Sequence, residues 1–450
     1  MPLNRREIIR TLAATSLTGL VAGKEARANQ TAERAARGMP SPRIKDVACI
    51  STAPTGARLC VVKVITDQDG LYGYGCATFH QRSDLIAPAV EAYAKALLVG
   101  KPADRIDDTW QILHNSSYWR NGPVLNAAMS GVDQALWDIK GRQAGMPVYQ
   151  LLGGKCREAA ACYTHAAGAE PAQVIENAKA ILARGFRYMA VQIGTPQRVW
   201  TYYGAGAGGQ ARSAPVQALH KSPNFEGSFV ARRSLKMIEE CRKQLGAEVE
   251  LLHDLQETLP PIHAIQFAKD VEQYKLFFLE DTVAPEDIAY LRILRQQCAT
   301  PLATGELLSN PHEWTPLIAE RLIDYLRLRV SQAGGLTPCR KTAAFAEIFG
   351  VKTAWHGPGD MSPIGHAANL ALDLACHNFG IQEYTEPNDL LQEVFPGTLV
   401  ARDGYLYPNE KPGWGIEVNQ TLAAKYPFLH TGHNGSWGDV RRMDGTVVRQ

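Results

Sequence analysis

The spacing of apolar residues changes twice along this chain. From Ile44 to Gly75 the pattern is strand-like. A β-branched run, Cys60-Val-Val-Lys-Val-Ile-Thr66, is followed by the turn Asp67-Gln-Asp-Gly70 and a return strand, Leu71-Tyr-Gly-Tyr-Gly75. From Ser83 to Lys155 the period becomes helical. Leu85, Ile86, Val90, Tyr93 and Ala94 share one face, as do Ala127, Ala128, Val132, Ala135 and Leu136. Strands followed by helices predict an α+β domain over residues 44–156.

Beyond Gly153-Gly154 short apolar runs alternate with amphipathic stretches. The runs predict strands at 159–165, 188–193, 248–254, 276–280, 302–306, 325–330, 352–356 and 380–383. Helices are predicted at 171–184, 234–245, 260–271, 285–297 and 335–349. Eight such units over roughly 230 residues argue for an α/β protein with a (β/α)8 barrel over 157–384, not an open sheet. The stretch 195–226 interrupts the second unit with Gly204-Ala-Gly-Ala-Gly-Gly209. No strand–turn–helix context surrounds those glycines, so they are not a dinucleotide fingerprint. After Glu383 the alternation ends. Residues 385–450, with short strands near 404–408 and 412–418, are expected to pack back on the first domain and help close the barrel mouth.

Bulk composition narrows the class. With 45% hydrophobic and 20% charged residues the chain reads as an ordinary globular protein. A formal net charge of +2 offers no basic field for nucleic acid. No run of about 18 apolar residues is free of charge, so no membrane span is expected. The nine cysteines are odd in number and include no CxxC pair, which argues against a disulfide framework or a zinc site. At the N terminus, Arg5-Arg6 precedes a weakly apolar stretch from Thr11 to Gly23, then Ala26-Arg27-Ala28. Residues 1–28 thus read as a twin-arginine signal, with 29–43 as a linker. Export to the periplasm is expected, with cleavage leaving Asn29 first; cytoplasmic residence follows if the signal is unused.

Three carboxylates stand out against this frame. Asp254, Glu280 and Glu306 recur every 26 positions, each at the end of an apolar run. That interval suits one barrel unit, so the three lie on consecutive strands at the face where barrel enzymes keep their chemistry. Asp and Glu end many strands, but converging carboxylates repel one another unless a cation lies between them. An all-oxygen set suits a hard ion such as Mg2+. Other strand ends carry His165, Arg327, His356 and Glu383. A mouth so lined suits a small, polar, anionic substrate.

Several motifs carry a resemblance. They are Ala128-Met-Ser-Gly-Val-Asp-Gln-Ala-Leu-Trp-Asp138, Gly145-Met-Pro-Val-Tyr-Gln-Leu-Leu-Gly-Gly154, Leu276-Phe-Phe-Leu-Glu-Asp281, Gly305-Glu-Leu-Leu-Ser-Asn-Pro-His-Glu-Trp-Thr-Pro316 and Trp355-His-Gly-Pro-Gly-Asp360. Over residues 44–450 the chain resembles the enolase superfamily, and within it the mannonate dehydratase or starvation-sensing group. That resemblance implies removal of the proton α to a substrate carboxylate, with Mg2+ stabilising the enediolate. It makes Asp254, Glu280 and Glu306 the metal ligands. It makes His356 and Tyr203 the proton-transfer groups. His80, His165, Arg327, Asp360 and Glu383 become substrate contacts, and Tyr118 and Trp119 close over the substrate from the capping domain. A sugar acid is the implied partner, and a homo-oligomer is expected.

The sequence departs from the group's pattern at three points. Ala190 stands where an arginine would partner the loop tyrosine, Gln256 where a histidine would protonate the leaving hydroxyl, and His80 where an asparagine is usual. Glutamine is no general acid near neutral pH, and a tyrosine of ordinary pKa near 10 is a poor base there. Dehydration of D-mannonate is therefore expected to be slow. Two alternatives remain open: a metal-dependent carboxylate-binding protein without turnover, and an epimerase or racemase using His356. The superfamily's Lys-x-Lys base is absent, since Ala190-Val-Gln192 occupies its place.

Overall fold

The computed structural model describes residues 39–193, 220–221, 226–428 and 440–447. The proposed signal, Tyr203 and most of the glycine-containing stretch lie outside the described residues. The first domain opens with an antiparallel sheet in the order β1 (Ile44–Thr52), β2 (Leu59–Thr66), β3 (Tyr72–Cys76). Both faces of this sheet are covered. Cys60, Val62 and Val64 pack with the domain's own helices, while Leu59, Val61, Tyr74 and Cys76 face the core shared with the barrel. That explains why β2 reads as a nearly continuous apolar run. A broken helical stretch over 80–98 follows, then α1 (Ile106–Asn115) and the long α2 (Pro123–Ala144). Helix α2 lies directly on β3. A Cβ at Gly75 would stand 1.9 Å from the carbonyl oxygen of Gly131, so only glycine permits this approach.

The second domain is the expected barrel. Its strands are β4 (Ala160–Gly168), β5 (Tyr188–Ile193), β6 (Glu250–Asp254), β7 (Phe278–Glu280), β8 (Leu302–Thr304), β9 (Tyr325–Leu326), β10 (Lys352–Thr353) and β11 (Gln382–Glu383). Strands β4 to β10 pair in sequence, all parallel, and β11 pairs with β4. The remaining gap is closed where Thr353 bridges Phe379 and its carbonyl accepts the Gly380 N–H at 2.8 Å. The helices around the sheet are α3 (Pro171–Ala183), α4 (Gly227–Leu245), α5 (Pro261–Asp270), α6 (Tyr290–Gln297), α7 (Pro311–Ala319), α8 (Leu336–Ile348) and α9 (Pro363–Ala375). Most strands are shorter than the sequence pattern suggests, because the chain turns towards the mouth soon after the last ladder bond. The exceptions are β5, which has its expected bounds, and β4, which runs three residues beyond His165.

The tail departs from expectation in one respect. Its strand β12 (Tyr405–Leu406) pairs antiparallel with Ala160 and Ala161, at the start of β4 and therefore at the end of the barrel away from the mouth. It also binds the first domain. Trp414 donates its backbone N–H to Asp138 Oδ1 at 2.9 Å and its indole N–H to the Tyr74 carbonyl at 2.9 Å. Arg142 meets Glu417 at 2.6 Å, and the Ala53 N–H donates to the Tyr426 carbonyl at 2.7 Å. The described tail thus straps the two domains together from behind.

Asp138 is the knot of that strap. Fully buried, it accepts from the Trp414 N–H through Oδ1, and through Oδ2 from the Tyr74 N–H at 2.9 Å and Arg142 Nε at 3.0 Å. Replacing it by alanine leaves two buried backbone N–H groups and Arg142 Nε without that acceptor, while Arg142 keeps Glu417. Asp138→Ala is expected to cost about 3 kcal/mol or more, as loss of one partner of a buried ion pair does. Chemical denaturation checks this; a loss below about 1 kcal/mol would remove Asp138 from that role.

Candidate active site

Side chains alternate across a strand, so residues two apart face the same side. In this barrel that period builds two tiers. The lower tier is an apolar plug in which Tyr163, Ala190, Leu252, Phe278, Ala303, Ala354 and Ile381 pack together, with Tyr325 against them. Two residues further along seven of these strands stand His165, Gln192, Asp254, Glu280, Arg327, His356 and Glu383. The upper tier is therefore polar and lies towards the C-terminal ends of the strands. On β8 the corresponding residue is Gly305, at φ +148°, where a Cβ would lie 2.8 Å from the Leu328 nitrogen. The chain turns at this glycine, and Glu306 takes the place at the rim. Asn310 then caps α7, accepting from the His312 N–H at 3.0 Å, while Glu313 accepts the Asn310 N–H at 2.9 Å.

Arg327 is the fixed cation of the upper tier. It is buried and donates through Nε to Glu280, through Nη1 to the Ala354 carbonyl at 3.0 Å and through Nη2 to Glu383 at 2.9 Å. Glu383 also accepts the Gly357 N–H at 2.9 Å and contacts His165 Nε2 at 2.7 Å. Burial works against its charge, but His356, Arg327 and His165 together hold its carboxyl well below the usual range. His165 is oriented from its other side by Gln192, with Nδ1 3.2 Å from Oε1. His356 Nε2 lies 2.7 Å from Glu306 and 3.7 Å from Glu383.

The acids converge, though not in the expected grouping. One ligand oxygen each from Glu280, Asp281 and Glu306 falls within 4.8 Å of the others. Trans oxygens around Mg2+ stand roughly 4.2 Å apart at bonds of about 2.1 Å, so a small inward movement completes such a set. Asp254 is not in that group as placed. Its Cα pairs in register with Glu280, so it stands on the same rim, but its Oδ1 accepts the Gln256 N–H at 2.7 Å. The cause is local backbone. Gln256, Glu257 and Asp281 all have positive φ, at 46°, 49° and 38°, and these bends set where the flanking carboxylates point. Asp281 was not singled out as a ligand in the sequence, although it follows Glu280 in the same motif.

Electrostatics also calls for a cation. Burial first, then the neighbouring negative charges, pushes the Asp254 carboxyl well above the usual range. Burial outweighs Arg327 at Glu280, with Asp254 and Asp281 adding to the rise. Burial and the charge of Glu306 push Asp281 up to about 7. Glu306 goes the other way, because His356 overcomes the effect of burial. Five acids, Asp254, Glu280, Asp281, Glu306 and Glu383, gather around the fixed cation Arg327, which leaves an excess of negative charge, and hard oxygen donors fit Mg2+. Asp254, Glu280 and Glu306, with Asp281 beside them, are the residues that would hold it.

Other expected contacts fall differently. His80 is buried on the first domain near Asp360, with Nδ1 accepting the Arg58 N–H at 3.1 Å. Asp360 pairs with Arg329 at 2.8 Å. Tyr118 and Trp119 are 92% and 85% exposed, so they do not close over the mouth here. Ala190 sits in the plug, below the polar tier, although its Cα pairs in register with His165 on β4. Arg329 and Gln192 were missed, though the two-residue period connects them to Arg327 and Ala190.

Comparison with known proteins agrees with this architecture. Residues 36–153 match the mandelate racemase / muconate lactonizing enzyme N-terminal domain, and 173–422 the enolase C-terminal domain-like family. A D-galactonate dehydratase family member of Pantoea ananatis is 49% identical over 419 residues, covering 90% of this chain and 99% of that protein. A family member of Musicola paradisiaca is 48% identical, covering 91% of this chain and all of that one. The chain is also similar to a crystal structure of an enolase from Pantoea ananatis with bound D-gluconate and Mg. The TM-score is 0.84 at 48% identity, over 91% of this chain and 100% of that one. A mandelate racemase/muconate lactonizing enzyme-like protein from Roseovarius, at 24% identity and TM-score 0.75, shares the fold.

The rim predicts competition between protons and metal. Acids whose carboxyls are pushed up hold protons at low pH, so Mg2+ affinity should fall as pH drops, over a window that takes in the Asp281 value of about 7. Glu280→Gln should weaken Mg2+ binding at least about tenfold, read by isothermal titration calorimetry. Unchanged affinity in that variant, or affinity independent of pH between 5 and 8, would contradict the metal site. The two-tier barrel, its capping domain and these relatives together establish that the chain belongs to the enolase superfamily, in the mandelate racemase/muconate lactonizing enzyme-like branch that includes the D-galactonate dehydratase family members.

Proposed function

We propose that this chain is a Mg2+-dependent sugar-acid dehydratase-like enzyme that abstracts the proton α to a carboxylate. The observation that carries the reading is the convergence of Glu280, Asp281 and Glu306 beside His356 and the buried cation Arg327. The D-gluconate and Mg in the similar Pantoea ananatis structure support an aldonate as substrate. When bound, Mg2+ supplies the charge that stabilises an enediolate.

The chain's own residues divide the remaining work. Arg327 is locked by two carboxylates and a carbonyl, so it offers a positive charge that needs no reorganisation. His356 Nε2 faces the rim and can take or return a proton there. Gln192 and Glu383 fix the ring of His165. The rim at Gln256 can donate hydrogen bonds but supplies no acid. Ala190, in the plug, brings no cation to a loop base such as Tyr203. Two groups that typically contribute about 10²–10⁴-fold each are thus missing for D-mannonate. These gaps favour slow dehydration of D-mannonate and keep a ligand-binding role without turnover as the second reading.

Incubation of Mg2+-loaded protein with aldonates in D2O separates the cases. The dehydratase reading expects a 2-keto-3-deoxy acid, accompanied by deuterium at the α carbon of recovered substrate, and both lost in His356→Asn. Exchange or epimer without elimination would favour a racemase or epimerase. Binding with neither would favour the non-catalytic role. Gln256→His combined with Ala190→Arg should raise D-mannonate turnover; rapid wild-type turnover at neutral pH would overturn the assignment of the missing acid.

A further inference from the structure

Away from the barrel, two thiols meet in the sheet of the first domain. Strands β1 and β2 pair so that Cys49 stands opposite Val62 and Ser51 opposite Cys60. Cys60 and Val62 belong to the core under the domain's own helices, and Cys49 packs against that core, so these side chains share one face of the sheet. Cys49 and Cys60 are thus diagonal neighbours across one step of the ladder. Their thiols hydrogen-bond to each other, and Ser51 Oγ lies 3.9 Å from Cys49 Sγ. The two are neighbours across the ladder and not along the chain, so no CxxC spacing marks them. They are also not equivalent. Cys60 is fully buried, with Sγ 3.7 Å from the Ser83 carbonyl, which it can reach as a donor. Cys49 is half-buried on β1, an edge strand of the three-stranded sheet. The hydrogen bond from Cys60 pulls the Cys49 thiol below its ordinary pKa against the effect of burial, while the same contact and burial push Cys60 well up. The sulfur that ionises more readily is therefore the one that solvent can reach.

We propose that Cys49 and Cys60 form a redox-active dithiol that closes to a cross-strand disulfide by exchange with a small-molecule disulfide. The Cys49 thiol gives its proton to solvent, and the thiolate attacks one sulfur of the disulfide RSSR. A bond forms between Cys49 and that sulfur, the S–S bond of RSSR breaks, and RS⁻ leaves and takes up a proton. Cys60 then loses its proton and attacks the Cys49 sulfur, expelling the second RS⁻, which is protonated in turn. The dithiol is oxidised and one RSSR is reduced to two RSH, so no further oxidant is needed. Cys49 is the attacking thiol, because it is reachable and the more acidic. Cys60 is the resolving thiol. Burial keeps it from RSSR, whereas its contact with Cys49 makes the second step intramolecular. The sulfurs must close from hydrogen-bond contact to a bond of about 2.05 Å, and β1, held on one side only, can shift along β2 to allow it.

The test is peptide mapping of the folded full chain after incubation with oxidised glutathione, quenching with acid and N-ethylmaleimide, and digestion with trypsin without reduction. Cleavage after Lys45, Arg58 and Lys63 puts Cys49 and Cys60 on separate peptides, 46–58 and 59–63, which only a disulfide joins. In wild type this linked pair should form, and reduced glutathione should reverse it. Cys60→Ser removes the resolving thiol, so glutathione should accumulate on Cys49, at least about tenfold above its level in wild type. Cys49→Ser should leave Cys60 without glutathione until the chain is unfolded. Melting curves establish that each variant is folded; should one fail to fold, the wild-type map and the other variant decide. Absence of the linked pair in folded wild type at every ratio of oxidised to reduced glutathione overturns the proposal, as does a pair that forms only after unfolding in urea. Glutathione on Cys60 in folded Cys49→Ser overturns the assigned order of attack and with it the proposal.

Discussion

A ring of ionisable side chains stacked on an apolar plug is the constraint on which this molecule depends. The β pleat forces the arrangement. With Leu252, Phe278, Ala354 and Ile381 filling the barrel, the residues two positions on have no choice but to face the same axis, and here they are Asp254, Glu280, His356 and Glu383. Water is largely excluded beneath them, so each charge must be answered within the ring. Arg327 answers Glu280 and Glu383. His356 answers Glu306. Burial and mutual repulsion push the carboxyls of Asp254, Glu280 and Asp281 up, so a hard divalent cation bound among them would relieve that repulsion.

The ring works only if the first domain stays above it, and buried acids of α2 secure that placement too. Asp133 accepts the Thr337 N–H at 2.9 Å at the start of α8, and Gly335 leaves room for it, since a Cβ there would lie 2.4 Å from Asp133 Oδ2. Asn126 donates to the Ser309 and Gln332 carbonyls, and Ser331 donates to the Thr78 carbonyl. The cap is therefore tied to the loops after β8 and β9, which also carry Glu306 and Arg329. From the far side, Asp138 ties the cap to the tail. Cap position, rim geometry and tail are thus one mechanical unit.

Much of this was legible in the sequence because barrel strands repeat. The 26-residue interval placed Asp254, Glu280 and Glu306 on neighbouring strands, and the same logic reached Arg327, His356 and Glu383. What escaped is set by geometry that hydrophobic spacing does not encode. Positive φ at Gln256 and Asp281 decides which carboxylate oxygens converge, and it brought in Asp281. Arg329 lies within the expected strand 325–330, where hydrophobic spacing gives it no role, and its pairing with Asp360 is set by the turn after His356. The tail's strand was expected near the mouth; two residues, Tyr405 and Leu406, pair at the opposite end because β4 offers its free edge there. Tyr118 and Trp119 carry a closing role only in the resemblance, and their loop stands in solvent.

The central claim is that the rim acids hold one divalent cation. Anomalous diffraction from crystals grown with Mn2+, a stand-in for Mg2+ with the same preference for oxygen donors, tests it most directly. The account predicts one strong peak within about 2.3 Å of oxygens from Glu280 and Glu306 and from Asp254 or Asp281, with Arg327 still on Glu383. No peak at the rim, or a peak bound elsewhere with these acids unmoved, would contradict it.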